Sequence, residues 1–151
     1  MAEAAPKSDS LAMLLAVYKE QAEQARHHES QRATVTNYVL IVAGGVLGLL
    51  SIENFKGYVP TGLFLIVLGF FGAVVSAKHY ERSYFHNRLA AAYRKQMEEI
   101  DENLEIDREA ARNEQEKSLP RLSKMRLFWL WNSFHIFISF LGFLVILLGF
   151  R

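Results

Sequence analysis

Three apolar runs interrupt an otherwise polar chain. Residues 33–52, 59–77 and 127–150 contain no Asp, Glu, Lys or Arg. Each approaches the roughly 20 apolar residues that cross a hydrocarbon core of about 30 Å, and soluble core helices seldom run that far without a charge. The pattern predicts three transmembrane helices. Ahead of the first run, Leu11, Leu14, Leu15, Tyr18, Ala22 and Ala25 recur at helical spacing. They mark an amphipathic helix over 11–32. Ser10 or Asp9 is the expected N-cap, and residues 1–10 are expected to be disordered. No Gly or Pro occurs from 11 to 43, so this helix is expected to continue unbroken into the first span.

The second run continues in the same manner. After it, Tyr80, Tyr84, Leu89, Tyr93, Met97, Ile100 and Leu104 form a stripe at spacings of three to five. A link of about six residues joins the first two spans, and links that short make antiparallel neighbours. The stripe is therefore expected to pack on the 11–25 helix, in the same chain or in a neighbouring copy. Alternating charges follow in "IDENLEIDREAARNEQEKSLPRL". They read as a solvated helix or hairpin tip, with a reversal somewhere in 101–107. Ser118, Leu119 and Pro120 look like a new helix start, because proline is tolerated in a first turn. In "RLSKMRLFWLW", cations precede Trp129 and Trp131 in the manner of a headgroup anchor.

The predicted class is thus all-α: an integral membrane protein with three transmembrane helices and long cytoplasmic helical extensions. Its segments are 1–10, 11–32, the span 33–52, the span 59–77, the cytoplasmic 78–126 and the span 127–150. Composition adds two points. Lys plus Arg (17) nearly balances Asp plus Glu (16), and there is no cysteine, so neither a disulfide framework nor a thiolate metal site exists. The distribution of cations is more telling. Lys19, Arg26 and Arg32 precede the first span, Lys78, Arg82, Arg88, Arg94 and Lys95 follow the second, and the short link holds only Lys56. The positive-inside rule then places the N-terminus and 78–126 in the cytoplasm and Arg151 on the far face. A polar stretch precedes the first run, which argues against a signal peptide.

Small and polar residues line up inside the spans: Asn37, Ile41, Gly44, Gly48 and Ser51 in the first, Gly62, Gly69, Ala73 and Ser76 in the second, and Asn132, His135, Ser139, Gly142 and Gly149 in the third. Such faces let helix backbones approach closely and hydrogen-bond across the contact. They serve either helix packing or, in an assembly of several copies, the lining of a pore. His135 is the most ionisable side chain within any span. It is either a neutral, hydrogen-bonded interfacial histidine or a gating group. No metal or catalytic motif is evident. There is no HExxH, no strand–loop–helix glycine motif, and no carboxylate at ligand spacing from His79 and His86. No basic patch interleaved with aromatics marks nucleic-acid binding. The chain is read as a non-enzyme without a cofactor.

Residues 11–100 resemble the SLATT family of small bacterial membrane proteins. The resemblance rests on Tyr18, Ala22 and His28 in "YKEQAEQARHH", on the two spans, and on His86, Ala91 and Tyr93 in "ERSYFHNRLAAAYRKQMEEI". The run at 127–150 goes beyond the minimal two-span form of that family. The resemblance implies an oligomeric inner-membrane effector of anti-phage or conflict systems, pore-forming, and triggered by a cytoplasmic sensor protein. Its partners would be the bilayer and further copies of itself. Tyr18, His86 and Tyr93 are the expected regulatory contact, and Asn37, Gly44, Gly48, Gly69, Asn132, His135, Ser139 and Gly142 the packing or pore-lining set. A second reading is an accessory or structural membrane subunit whose cytoplasmic hairpin binds a partner protein. A transporter subunit fits less well, since there is no inverted repeat and no charge at mid-span.

Overall fold

The computed structural model describes residues 7–104 and 106–150. Among these residues the chain is all-helical: α1 (Lys7–Gly48), α2 (Tyr58–Ile100), α3 (Arg108–Ser118) and α4 (Leu127–Leu148), with short 3-10 turns at Leu49–Ser51 and Glu102–Leu104. Three of them, α1, α2 and α4, are long and apolar enough to cross a membrane. α1 and α2 are unbroken; residues 11–43 and 73–100 hold no Gly or Pro, the residues least favourable in a helix interior. Between them the link turns on Asn54 at φ 57°, a left-handed conformation that Asn tolerates better than most residues. Pro60 sits in the first turn of α2, where its missing N–H costs nothing.

The chain divides into two compact units. The apolar unit comprises residues 29–80 and 126–150. Val39 and Ala43 of α1, Leu65 of α2, and Ile138 and Val145 of α4 form its core. α2 and α4 approach closely. A Cβ added to Gly142 would lie 2.5 Å from the Gly62 carbonyl oxygen, and one on Gly69 would lie 2.3 Å from Ser139 Oγ. The Ser139 hydroxyl donates to the Ile66 carbonyl at 3.2 Å, a cross-helix bond of the kind that joins helices in lipid. Outward faces carry large apolar groups such as Ile41, Val67, Phe70, Phe71, Ile136 and Phe140.

The polar unit comprises residues 7–28 and 81–125. Its α1 and α2 segments pack through Ala25, Ser83, Ala90 and Met97, all buried, so the expected pairing of the two amphipathic helices occurs within one chain. Glu98 near the end of α2 pairs with Arg108 at the start of α3. The Asp107 carboxylate caps α3 by accepting from the Ala110 N–H at 2.8 Å. α3 buries no residue, which is the solvated helix that its charges predict. α2 ends at Ile100 and α3 begins at Arg108.

Buried positions along α2 recur every seven residues: Gly62, Gly69 and Ser76 in the apolar unit, then Ser83, Ala90 and Met97 in the polar unit. In α1, Ala25 in the polar unit and Arg32 and Val39 in the apolar unit follow the same step. This is the period of a coiled-coil seam. Of the expected stripe, Met97 is buried and Tyr80, Leu89, Tyr93 and Ile100 are half-buried; the correction falls on Tyr84, 54% exposed beside buried Ser83, and on Leu104, also exposed.

Other expectations are corrected as well. Asp9 and Ser10 lie inside α1 and do not cap it, and Lys7 and Ser8 are helical where disorder was expected. Residues 1–6 of that expected disordered segment, and Arg151, lie outside the described residues. Ser118–Pro120 ends a helix instead of starting one. Leu119, at φ −134°, ψ 62°, is the C-cap of α3, since the residue before a proline is driven out of helical conformation. α4 begins only at Leu127 and ends at Leu148, two residues short of the predicted run.

Candidate functional site: a buried polar layer in the apolar unit

The seven-residue step in α1 carries Arg32 to the inward face, and its side chain is only 1% exposed. Glu29, one turn earlier, meets its Nη2 at 2.7 Å and is itself 41% exposed. Two aromatic rings flank the guanidinium: Tyr80 of α2 and Trp131 of α4 each have a centroid 5.6 Å from its central carbon. Cation–π attraction of this kind strengthens when the cation is desolvated. Phe128 packs on Tyr80 at 4.7 Å and helps hold that ring.

One turn further along α1, the Thr36 hydroxyl donates to the Arg32 carbonyl at 3.0 Å and lies 3.2 Å from His135 Nε2. A threonine hydroxyl has one proton. Directed to the carbonyl, it leaves His135 Nε2 as the donor to Thr36 and Nδ1 as a bare acceptor. His135 is fully buried. Its ring fits because Gly72 of α2 lacks a side chain: a Cβ there would lie 2.4 Å from Nδ1. Ser76 and Asn132 complete the layer, both buried.

Six buried polar atoms here have no hydrogen-bond partner among the described residues: Arg32 Nε and Nη1, Trp131 Nε1, Ser76 Oγ, Asn132 Oδ1 and His135 Nδ1. Each unsatisfied group costs about 1–3 kcal/mol when buried. The combined penalty is of the order of a domain's whole net stability, about 5–15 kcal/mol. A layer of this composition is suited to bind polar ligands, ions or water.

The residues expected from sequence fall into three places. Gly69, Asn132, His135, Ser139 and Gly142 come together inside the apolar unit, where they pack α2 and α4. Asn37, Gly44 and Gly48 do not join them. They are exposed, and a Cβ at 44 or 48 would meet nothing within 4 Å. Within the chain, close helix approach thus occurs at Gly62, Gly69 and Gly142, not at the Gly44–Gly48 pair. Tyr18, His86 and Tyr93 belong to the polar unit. His86 Nδ1 lies 2.8 Å from Gln21 Oε1, and its ring stacks on His28 at 5.5 Å. Tyr18 lines an apolar cavity of 280 Å3 with Leu11, Leu15, Arg94, Met97, Glu98 and Leu104. Tyr93 is half-buried.

Sequence reasoning missed Arg32, Thr36, Gly72 and Trp131 as members of one site. From sequence Arg32 reads only as an orienting cation. Its spacing of seven from both Ala25 and Val39 was the available signal.

The chain matches no protein-family model, no curated protein and no solved structure.

Proposed function

We propose that this chain is a non-enzymatic, multi-pass protein of the bacterial inner membrane that assembles into homo-oligomers and permeabilises the membrane on a cytoplasmic signal. The N-terminus and 78–126 lie in the cytoplasm in this reading, following the cation bias. The setting is an anti-phage or conflict system, by resemblance to the SLATT family over 11–100. The observation that carries the reading is the outward face of α1. Asn37, Ile41, Gly44 and Gly48 lie in the uncharged run 33–52 of α1, and a Cβ at either glycine meets nothing within 4 Å. In lipid such a face is suited to a second helix at close range. Asn132 and His135 of α4 are buried inside the chain, so a pore between copies is lined from α1, with Asn37 as its polar group. α1 and α2 contribute to both units without a break, which gives a cytoplasmic signal a covalent, helical route to the spans.

Inducible production in bacterial cells, with a potential-sensitive dye, tests this. High-level production is expected to drive assembly without the signal, so wild type is expected to depolarise the cells. Gly44→Leu and Gly48→Leu are expected to remain in the membrane and leave the potential intact. Unchanged potential and growth with wild type at high level would overturn the pore. The accessory-subunit reading would then stand, and one observation favours it: the apolar cavity between Leu11, Tyr18, Met97 and Leu104 is placed to accept a partner's side chain.

A further inference from the structure

Arg32 and Trp131 share a chemical property that the rest of the polar layer lacks: they only donate. A guanidinium has five N–H donors and no acceptor, and an indole nitrogen has one donor. Arg32 Nε, Arg32 Nη1 and Trp131 Nε1 are all buried and without partners, and the Trp131 ring faces the guanidinium. By contrast, Ser76, Asn132 and His135 offer acceptors or mixed groups, which water serves. Donors gathered around one positive charge call for an acceptor-rich anion. Glu29 supplies one carboxylate, to Nη2 alone, and is partly exposed. Arg126, exposed at the start of α4, adds positive charge to the same end of the unit.

We infer that Arg32 and the Trp131 indole N–H form a binding site for a phosphate group, presented by an anionic phospholipid headgroup or as free phosphate. The inference rests on the membrane reading of the apolar unit and not on the pore. Planar, bidentate donation suits a guanidinium to phosphate oxygens. Basic pockets between spans on the cytoplasmic side are where anionic headgroups bind. Arg32 directly precedes the uncharged run 33–52, which sets it at headgroup level. The anion enters from the Glu29 side and competes with that carboxylate. Both bidentate edges of a guanidinium, Nε with Nη2 and Nη1 with Nη2, include Nη2, so the anion takes either edge by displacing Glu29 from Nη2.

The test uses the full chain, with Trp129→Phe leaving Trp131 as the single indole. Alkaline carbonate extraction comes first. Release of the chain from membranes would refute the membrane reading itself. With the chain retained, the delipidated protein in maltoside micelles is titrated with dioleoylphosphatidylglycerol, with inorganic phosphate and with oleate, a phosphate-free anion. Trp131 emission and adducts in native mass spectra are the readouts. Phosphatidylglycerol is expected to give a saturable change that Arg32→Gln weakens roughly tenfold or more. Glu29→Gln is expected to tighten binding by roughly threefold, since it removes a competitor, and a gain of this kind is not produced by misfolding. An equal, Arg32-dependent response to inorganic phosphate would support the site with free phosphate as the ligand. Oleate acting as well as phosphatidylglycerol would overturn the phosphate assignment. No change in wild-type emission and no adduct would overturn the site, leaving water alone to serve these donors.

Discussion

Gly142→Ala isolates the steric term at the α2–α4 contact. The added methyl would lie 2.5 Å from the Gly62 carbonyl oxygen and 2.8 Å from the Ile66 backbone nitrogen. Both are backbone atoms, so no rotamer change relieves the clash. Restoring ordinary contact at 3.4 Å requires the helices to part by about 0.9 Å locally. A gap of roughly 0.5–1 Å forfeits a quarter to a half of each dispersion contact it opens, and overpacking in a tight core costs about 1–3 kcal/mol. Gly44→Ala is the matched control. It also replaces a helical glycine, for a propensity gain of up to about 1 kcal/mol, but its methyl meets nothing within 4 Å. The propensity gain is common to both variants, so their difference reports the steric cost, about 1–3 kcal/mol, or roughly 5- to 150-fold in the unfolding equilibrium. Unfolding in mixed maltoside and dodecyl sulfate micelles, followed by tryptophan emission and circular dichroism, measures it. Equal midpoints for Gly142→Ala and Gly44→Ala would refute the close α2–α4 approach.

Thr36→Val keeps the shape and leaves His135 Nε2 without its partner. It is expected to lower stability in the same assay by about 1–3 kcal/mol, with Thr36→Ser much milder. Asp107→Ala removes the cap of α3. It should speed amide exchange at Ala110 in keeping with a loss of about 1 kcal/mol in that helix, while the global midpoint stays put because α3 buries nothing. A double-mutant cycle on Gln21→Ala and His86→Ala is expected to return a coupling of about 0.5–1.5 kcal/mol. A value of zero would remove the Gln21–His86 hydrogen bond from the polar unit.

Much of the fold is local and therefore readable. Uncharged runs set the apolar helices, the lack of Gly and Pro over 11–43 and 73–100 carries α1 and α2 on beyond them, and sign-alternating charge leaves α3 solvated. Which face packs is a property of pairs of helices and is not local. All three apolar runs carry small residues at spacings of three, four or seven, and nothing in α1 alone says that Gly44 faces outward while Gly69 faces a neighbour. The place of Tyr84 in the α2 stripe fails for a related reason. Reading the largest apolar residues selects Tyr84, whereas a close seam is built from Ser83 and Ala90. Arg32 was hidden by its charge, which suggests an exposed end of a span. Its burial depends on two rings from α2 and α4, Tyr80 and Trp131, distant in sequence from Arg32 and from each other. Pro120 showed the limit of a single-residue rule, because its effect on Leu119 outweighed its tolerance in a first turn.

Self-association through α1 is the claim on which the functional reading depends. Native mass spectrometry of the full chain extracted in mild detergent, checked by crosslinking in intact membranes, measures it directly. The account requires a defined assembly of four or more copies that Gly44→Leu disrupts. A wild-type chain that is monomeric or dimeric in both experiments has too few spans to enclose a pore and would contradict it.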